Sequence, residues 1–126
     1  MRDGKYVILY IDDDQDYLDN MRLILEANDY IMEEAISAEE GLKVYKKVDP
    51  DFVIVDLMME EVDAGTSFVK ELRLLNNEAP VYMLSSVGDS LSLNTDYNEL
   101  GLDGVFQKPI NAKVLLSTLK RKLGQS

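Results

Sequence analysis

Residues able to do chemistry stand at four places: the acidic run Asp12-Asp13-Asp14, Asp56 behind the apolar stretch Phe52-Val53-Ile54-Val55, the hydroxyl pair Ser85-Ser86, and Lys108 ahead of Pro109. Two unit charges about 4 Å apart repel by about 4 kcal/mol at an effective dielectric of 20. Three carboxylates drawn into one cleft therefore require positive charge among them. Carboxylate oxygens unaccompanied by imidazole or thiolate suit a hard divalent cation, and Mg²⁺, held by a few carboxylates with waters and a phosphate, fits best. Lys108 would supply a second, fixed charge. A cation, a lysine and a hydroxyl facing one free carboxylate are the parts of phosphoryl transfer, where catalysis is mostly positioning and charge neutralisation. Asp56 would then be the nucleophile, forming an acyl phosphate. Taken singly, each residue also has an ordinary reading. Asp56 could be a solvated strand end and Lys108 a surface lysine, while Asp14, Asp16 and Asp19 fit the acidic start of a helix. Met58 and Met59 are explained by packing.

These residues meet only if secondary structure delivers them to one edge. Lys5 to Ile11 is a β-rich apolar run ending on the aspartates, and Val53 to Asp56 reads as a central parallel strand covered on both faces. Between them, a helix is expected from about Gln15 to Ala27 with Tyr17, Leu18, Met21, Ile24 and Leu25 inward, then a short strand Tyr30-Ile31-Met32. Ser37 with Glu40 opens a second helix carrying Leu42, Tyr45 and Val48, which ends at Asp49-Pro50. After Asp56 come a polar loop from Glu60 to Ala64 and a helix carrying Phe68, Val69, Leu72 and Leu75, stopped by Asn76-Asn77. The fourth strand is Pro80 to Leu84, running into Ser85-Ser86. Residues 87–101 predict a short or irregular helix, because glycine, serine and asparagine interrupt the apolar pattern. A fifth strand, Val105-Phe106-Gln107, leads to Lys108-Pro109, and Asn111 caps a last helix with Val114, Leu115, Leu119 and Leu123 inward. Five strands alternating with helices imply an α/β, doubly wound parallel sheet with helices on both faces. In such sheets ligands bind at the carboxyl ends of the strands, where the four motifs fall.

Composition narrows the chemistry. The 126 residues suit one domain. The chain has no cysteine, so disulfides and thiolate metal sites are excluded, and no histidine, so any phosphohistidine involved belongs to another protein. A formal charge of −11 speaks against nucleic-acid contact. The basic run Lys120-Arg121-Lys122 complements the dipole of the last helix. No apolar run approaches a membrane span and no signal core opens the chain, so a cytoplasmic location without membrane contact is expected.

Read together, Tyr10-Ile11-Asp12-Asp13-Asp14, Asp56-Leu57-Met58-Met59, Leu84-Ser85-Ser86 and Lys108-Pro109 resemble, in order and across essentially the whole chain, the receiver domains of bacterial two-component response regulators, including the chemotaxis regulators. The resemblance implies a flavodoxin-like sheet of order 2-1-3-4-5 and one receiver domain, residues 1–126, without an output domain. It implies a phosphoacceptor at Asp56, Mg²⁺ bound by Asp13, Asp56 and the main-chain carbonyl of Met58 with Asp12 assisting through water, Ser85 bonding the phosphoryl oxygen and Lys108 pairing with it. It also implies a cis peptide before Pro109. The partners implied are a histidine kinase or histidine phosphotransfer protein, a downstream reader of unknown identity and a phosphorylation-linked dimer. The activity implied is self-phosphorylation and slow dephosphorylation in a phosphorelay, not turnover of a free substrate. Added charge at Asp56 would draw Ser85 inward and alter the face made by the fourth helix, the fifth strand and the fifth helix. In three places the chain departs from the family. Val105, with Phe106 beside it, stands where the family has an aromatic switch residue. Glu60 replaces a common proline and Asp63-Ala64-Gly65 a tighter turn. Met58 and Val87 offer no amide or carboxylate to guide water, so a long-lived acyl phosphate is expected. Two rival readings remain: a receiver-like interaction module that works without phosphorylation, and an aspartate-based phosphohydrolase, which would need a second carboxylate where Met58 stands. A flavin-binding relative of the fold is weaker still, because the aspartates after the first strand would repel a phosphate unaccompanied by metal.

Overall fold

The structure, a computed structural model, describes residues 1–56, 64–85 and 102–124. Five strands form one sheet of order β2-β1-β3-β4-β5: β1 (Val7–Ile11), β2 (Ile31–Ala35), β3 (Phe52–Asp56), β4 (Val81–Ser85) and β5 (Gly104–Gln107). Every pairing is parallel. The described helices are α1 (Gln15–Glu26), α2 (Ala38–Val48), α3 (Ala64–Leu74) and α4 (Ala112–Leu123). None of them is long and apolar enough to cross a membrane. The flavodoxin-like architecture expected from the sequence is the one observed.

β1 and β3 are buried at every position because helices cover both faces of the sheet. Strand alternation sorts their side chains into two cores. Ile8, Tyr10, Phe52, Ile54, Tyr82, Leu84 and Phe106 pack with Leu18, Met21 and Leu25 of α1 and with Leu115 and Leu119 of α4. On the other face Leu9, Ile11, Val53, Val55 and Met83 pack with Phe68, Val69 and Leu72 of α3 and with Leu42, Val44 and Tyr45 of α2. The expected caps form, Ser37 accepting from the Glu40 amide and Asn111 from the Val114 amide, and Asp14, read from the sequence only as an acidic helix start, also caps α1 by accepting from the Asp16 amide. Each satisfies an amide that the helix itself leaves unpaired.

Several sequence expectations are corrected. Tyr30 precedes β2, and the strand runs on to Ala35 through Glu33 and Glu34, which pair with Arg2 at 3.2 Å and Arg22 at 2.7 Å. An edge strand tolerates such charges, and they disguise it. α1 stops at Glu26, α3 already includes Ala64, β4 opens at Val81 and includes Ser85, and β5 begins at Gly104. Leu75 lies beyond the end of α3 and is 41% exposed, just before Asn76 takes a left-handed backbone with φ 58°. Val114, in the first turn of α4, is 51% exposed, and the buried stripe runs instead through Leu115, Thr118 and Leu119. In α2 the buried position is Gly41, where a Cβ would sit 2.7 Å from Ile11 Cδ1 and 3.0 Å from Phe68 Cε1. The helix expected within 87–101 lies outside the described residues, as do Met58, Ser86 and Val87.

Candidate functional site

The register of the sheet brings the chemistry-bearing residues together. Ile11 pairs with Val55, so the next residues along β1 and toward the end of β3 are Asp12 and Asp56. Asp56 in turn pairs with Leu84, Ser85 pairs with Gln107, and the Lys108 amide donates to the Ser85 carbonyl at 2.7 Å. Alternation then sets Asp12, Asp56 and Lys108 on the α1/α4 face and Ser85 on the face of Met83. Carboxylate oxygens of Asp12, Asp13 and Asp56 all lie within 4.8 Å of one another. Asp12 and Asp56 are buried, whereas Asp13 is open to solvent. The cleft therefore has a closed floor and one wet wall.

Lys108 Nζ contacts Asp56 Oδ1 at 3.0 Å and approaches Asp12 Oδ2 at 3.9 Å, with its side chain 14% exposed. Burial pulls its pKa down, but the hydrogen bond to Asp56 and the charges of Asp56 and Asp12 outweigh that and hold it above the usual lysine value. The ammonium is thus firmly charged. Both Asp12 oxygens have internal donors: the Tyr10 hydroxyl donates to Oδ2, and the Asp14 amide donates to Oδ1 at 2.9 Å. Tyr10 was legible only as a core residue. Its hydroxyl finds Asp12 because residues two apart in a strand share a face.

A cation bound at about 2.0–2.1 Å in octahedral geometry has ligand oxygens up to about 4.2 Å apart. The cluster needs little closure to meet that. Three carboxylates facing one ammonium leave a formal excess of two negative charges, which a divalent ion matches. The donor set, all oxygen, fits Mg²⁺. Of the other residues singled out in the sequence, Pro109 follows a cis peptide bond and is exposed. Val105 packs on the α2/α3 side, whereas Phe106 is buried on the α1/α4 side against Tyr82, with ring centroids 4.8 Å apart. Phe106 therefore does not stand in for an aromatic side chain at Val105.

Comparison with known proteins agrees with this geometry. Residues 8–120 match the response regulator receiver domain family. Response regulator MprA of Mycolicibacterium vanbaalenii is 30% identical over 116 residues, covering 92% of this chain and 49% of that protein. The chain thus spans about half the length of the curated relatives it matches. Among solved structures, the chemotaxis protein CheY4 of Vibrio cholerae superposes with a TM-score of 0.84 at 27% identity, covering 94% of this chain and 99% of that one. A CheY-like response regulator receiver domain protein of Methanospirillum hungatei gives a TM-score of 0.85 at 28% identity, covering 97% and 96%. With the strand order, the carboxylate cluster and the matched residues in agreement, this chain belongs to the response regulator receiver domain family.

Proposed function

We propose that the chain accepts a phosphoryl group on Asp56 from a phosphohistidine of a partner kinase or phosphotransfer protein, in a Mg²⁺-dependent reaction. The observation that carries this reading is the placement of Asp56: buried at a strand end, 3.0 Å from Lys108 and grouped with Asp12 and Asp13. An Asp56 oxygen would attack phosphorus as the partner's phosphorus–nitrogen bond breaks, the imidazole leaving with the electron pair. Lys108 would then meet a phosphoryl oxygen, and Ser85, at the end of β4, would take another. Asp13 and Asp56 would hold the metal with the Met58 carbonyl. Asp12, whose oxygens already accept from Tyr10 and Asp14, suits a water-mediated role. Bound there, Mg²⁺ would neutralise charge on the transferring group. Downstream, the charge added at Asp56 would bias the face that includes β5 and α4 toward a reader protein or a second copy.

The test is intact mass after incubation with Mg²⁺ and a small acyl phosphate. The wild-type chain gains one phosphoryl group and Asp56→Asn gains none. Absence of an adduct on the wild type, together with undetectable Mg²⁺ binding, would instead identify an interaction module that works without phosphorylation.

A further inference from the structure

Lysine brings a compact charge on a flexible four-carbon stem, so its position depends on what surrounds it. Lys108 faces two carboxylates at different distances, Asp56 at 3.0 Å and Asp12 at 3.9 Å, and those ion pairs alone would let it move between them. A third contact does not depend on either carboxylate. The Lys108 ammonium lies over the ring of Tyr17, 4.4 Å from its centroid. Tyr17 sits half-buried in the first turn of α1, with its body packed against the α1/α4 core. An aromatic face attracts a cation through its quadrupole, within about 6 Å of the centroid, and most strongly where water is displaced. With its side chain 14% exposed, Lys108 meets that condition.

We infer that Tyr17 is a positioning residue for Lys108, an aromatic wall on α1 that holds the ammonium at the mouth of the carboxylate cleft when its ion pair with Asp56 opens. The inference rests on the phosphoacceptor reading in one respect: the ion pair must loosen when the Asp56 oxygen bonds phosphorus. A lysine held only by Asp56 would then be released toward Asp12 or solvent. Held also by Tyr17, it remains where an incoming phosphoryl oxygen arrives. The tyrosine hydroxyl is not required, only the ring. Sequence alone read Tyr17 as part of the inward face of the helix, which is true of its body and silent about its face.

The test compares Tyr17→Phe with Tyr17→Leu, and with Tyr17→Met should leucine not be tolerated. First, the ε-methylene protons of Lys108 are followed by NMR in the metal-free protein. They are shifted upfield by the ring in wild type and in Tyr17→Phe, and the shift is lost in Tyr17→Leu. This arm is independent of phosphorylation, so it separates failure of the contact from failure of the phosphoacceptor reading. Second, the rate of adduct formation from a small acyl phosphate with Mg²⁺ is retained in Tyr17→Phe and falls about 2- to 30-fold in Tyr17→Leu, the range expected for losing such a contact. Third, Tyr17→Leu has no further effect on that rate in a Lys108→Ala background. The inference is overturned by any of three results: a Lys108 resonance that ignores the loss of the ring, a Tyr17→Phe variant as slow as Tyr17→Leu, or an equal additional loss in the Lys108→Ala background, which would make Tyr17 merely structural.

Discussion

At the scale of single residues, Asp12 shows how a buried carboxylate is made tolerable. It has no exposed surface, and its two oxygens accept from the Tyr10 hydroxyl and the Asp14 amide. Lys108 is too far from it, at 3.9 Å, to replace either donor without leaving Asp56. Tyr10→Phe keeps the ring and removes one donor from a buried charged acceptor, so it is expected to cost about 1–3 kcal/mol in urea unfolding. A variant as stable as wild type would mean that another donor moves in. The convergence of Asp12, Asp13, Asp56 and Lys108 at one edge of the sheet was legible in the sequence because each lies at or just beyond the end of a strand-forming run. The parts played by Tyr10 and Tyr17 were not. An aromatic residue inside a strand or on a helix's inward face carries the same sequence signal whether or not its polar edge or its face is put to use.

At the scale of elements, the aromatic ladder across β3, β4 and β5 decides what the end of the sheet can accept. Phe52 stacks on Tyr82 at 5.2 Å and Tyr82 on Phe106 at 4.8 Å, so the Tyr82 ring is held on both sides. It lies over Gly104, where a Cβ would fall 2.5 Å from Tyr82 Cε2. Gly104→Ala should therefore destabilise the fold by about 1–3 kcal/mol, as overpacking does. In a Tyr82→Leu background the cost should shrink, giving a coupling of about 0.5–3 kcal/mol in a double-mutant cycle by denaturant titration. Additive losses would show that the ring is free to step aside. The same alternation that stacks Phe106 sends Val105 to the other face, so a one-residue difference in an aromatic position is a difference of core. The carboxyl ends of β1 and β3 were legible because their apolar runs stop on aspartate, whereas their starts fall at Val7 and Phe52 rather than at Lys5 and Val53. β2 was cut short because its glutamates hide a strand, and Leu75 and Val114 were misplaced because a helix's first and last turns lie partly outside its packed face.

At the scale of the whole molecule, burial of phenols links the fold to pH. The chain has seven tyrosines, and Tyr10, Tyr30 and Tyr45 have their ionisation pushed upward. Burial is the main cause for each, joined at Tyr10 by the hydrogen bond to Asp12 and at Tyr45 by the charges of Asp49 and Glu78. Near neutral pH both folded and unfolded chains keep these protons, so the groups add no slope to stability there. Above about pH 10 the unfolded chain ionises its tyrosines while the folded chain keeps the buried ones protonated. The unfolded state then binds fewer protons, and stability must fall as pH rises. Lys108, its pKa also raised, acts in the same sense, because the folded chain retains its proton longer than the unfolded one. A phenol that stays protonated in the fold steepens the decline by up to about 1.4 kcal/mol per pH unit. Tyr10, with no exposed surface, should approach that limit, while Tyr30 and Tyr45 act in the same direction. Urea titrations between pH 9 and 11 would measure the slope. Tyr30→Phe should flatten it relative to wild type whatever its effect on stability at neutral pH, whereas an unchanged slope would show that Tyr30 ionises within the folded chain as readily as outside it.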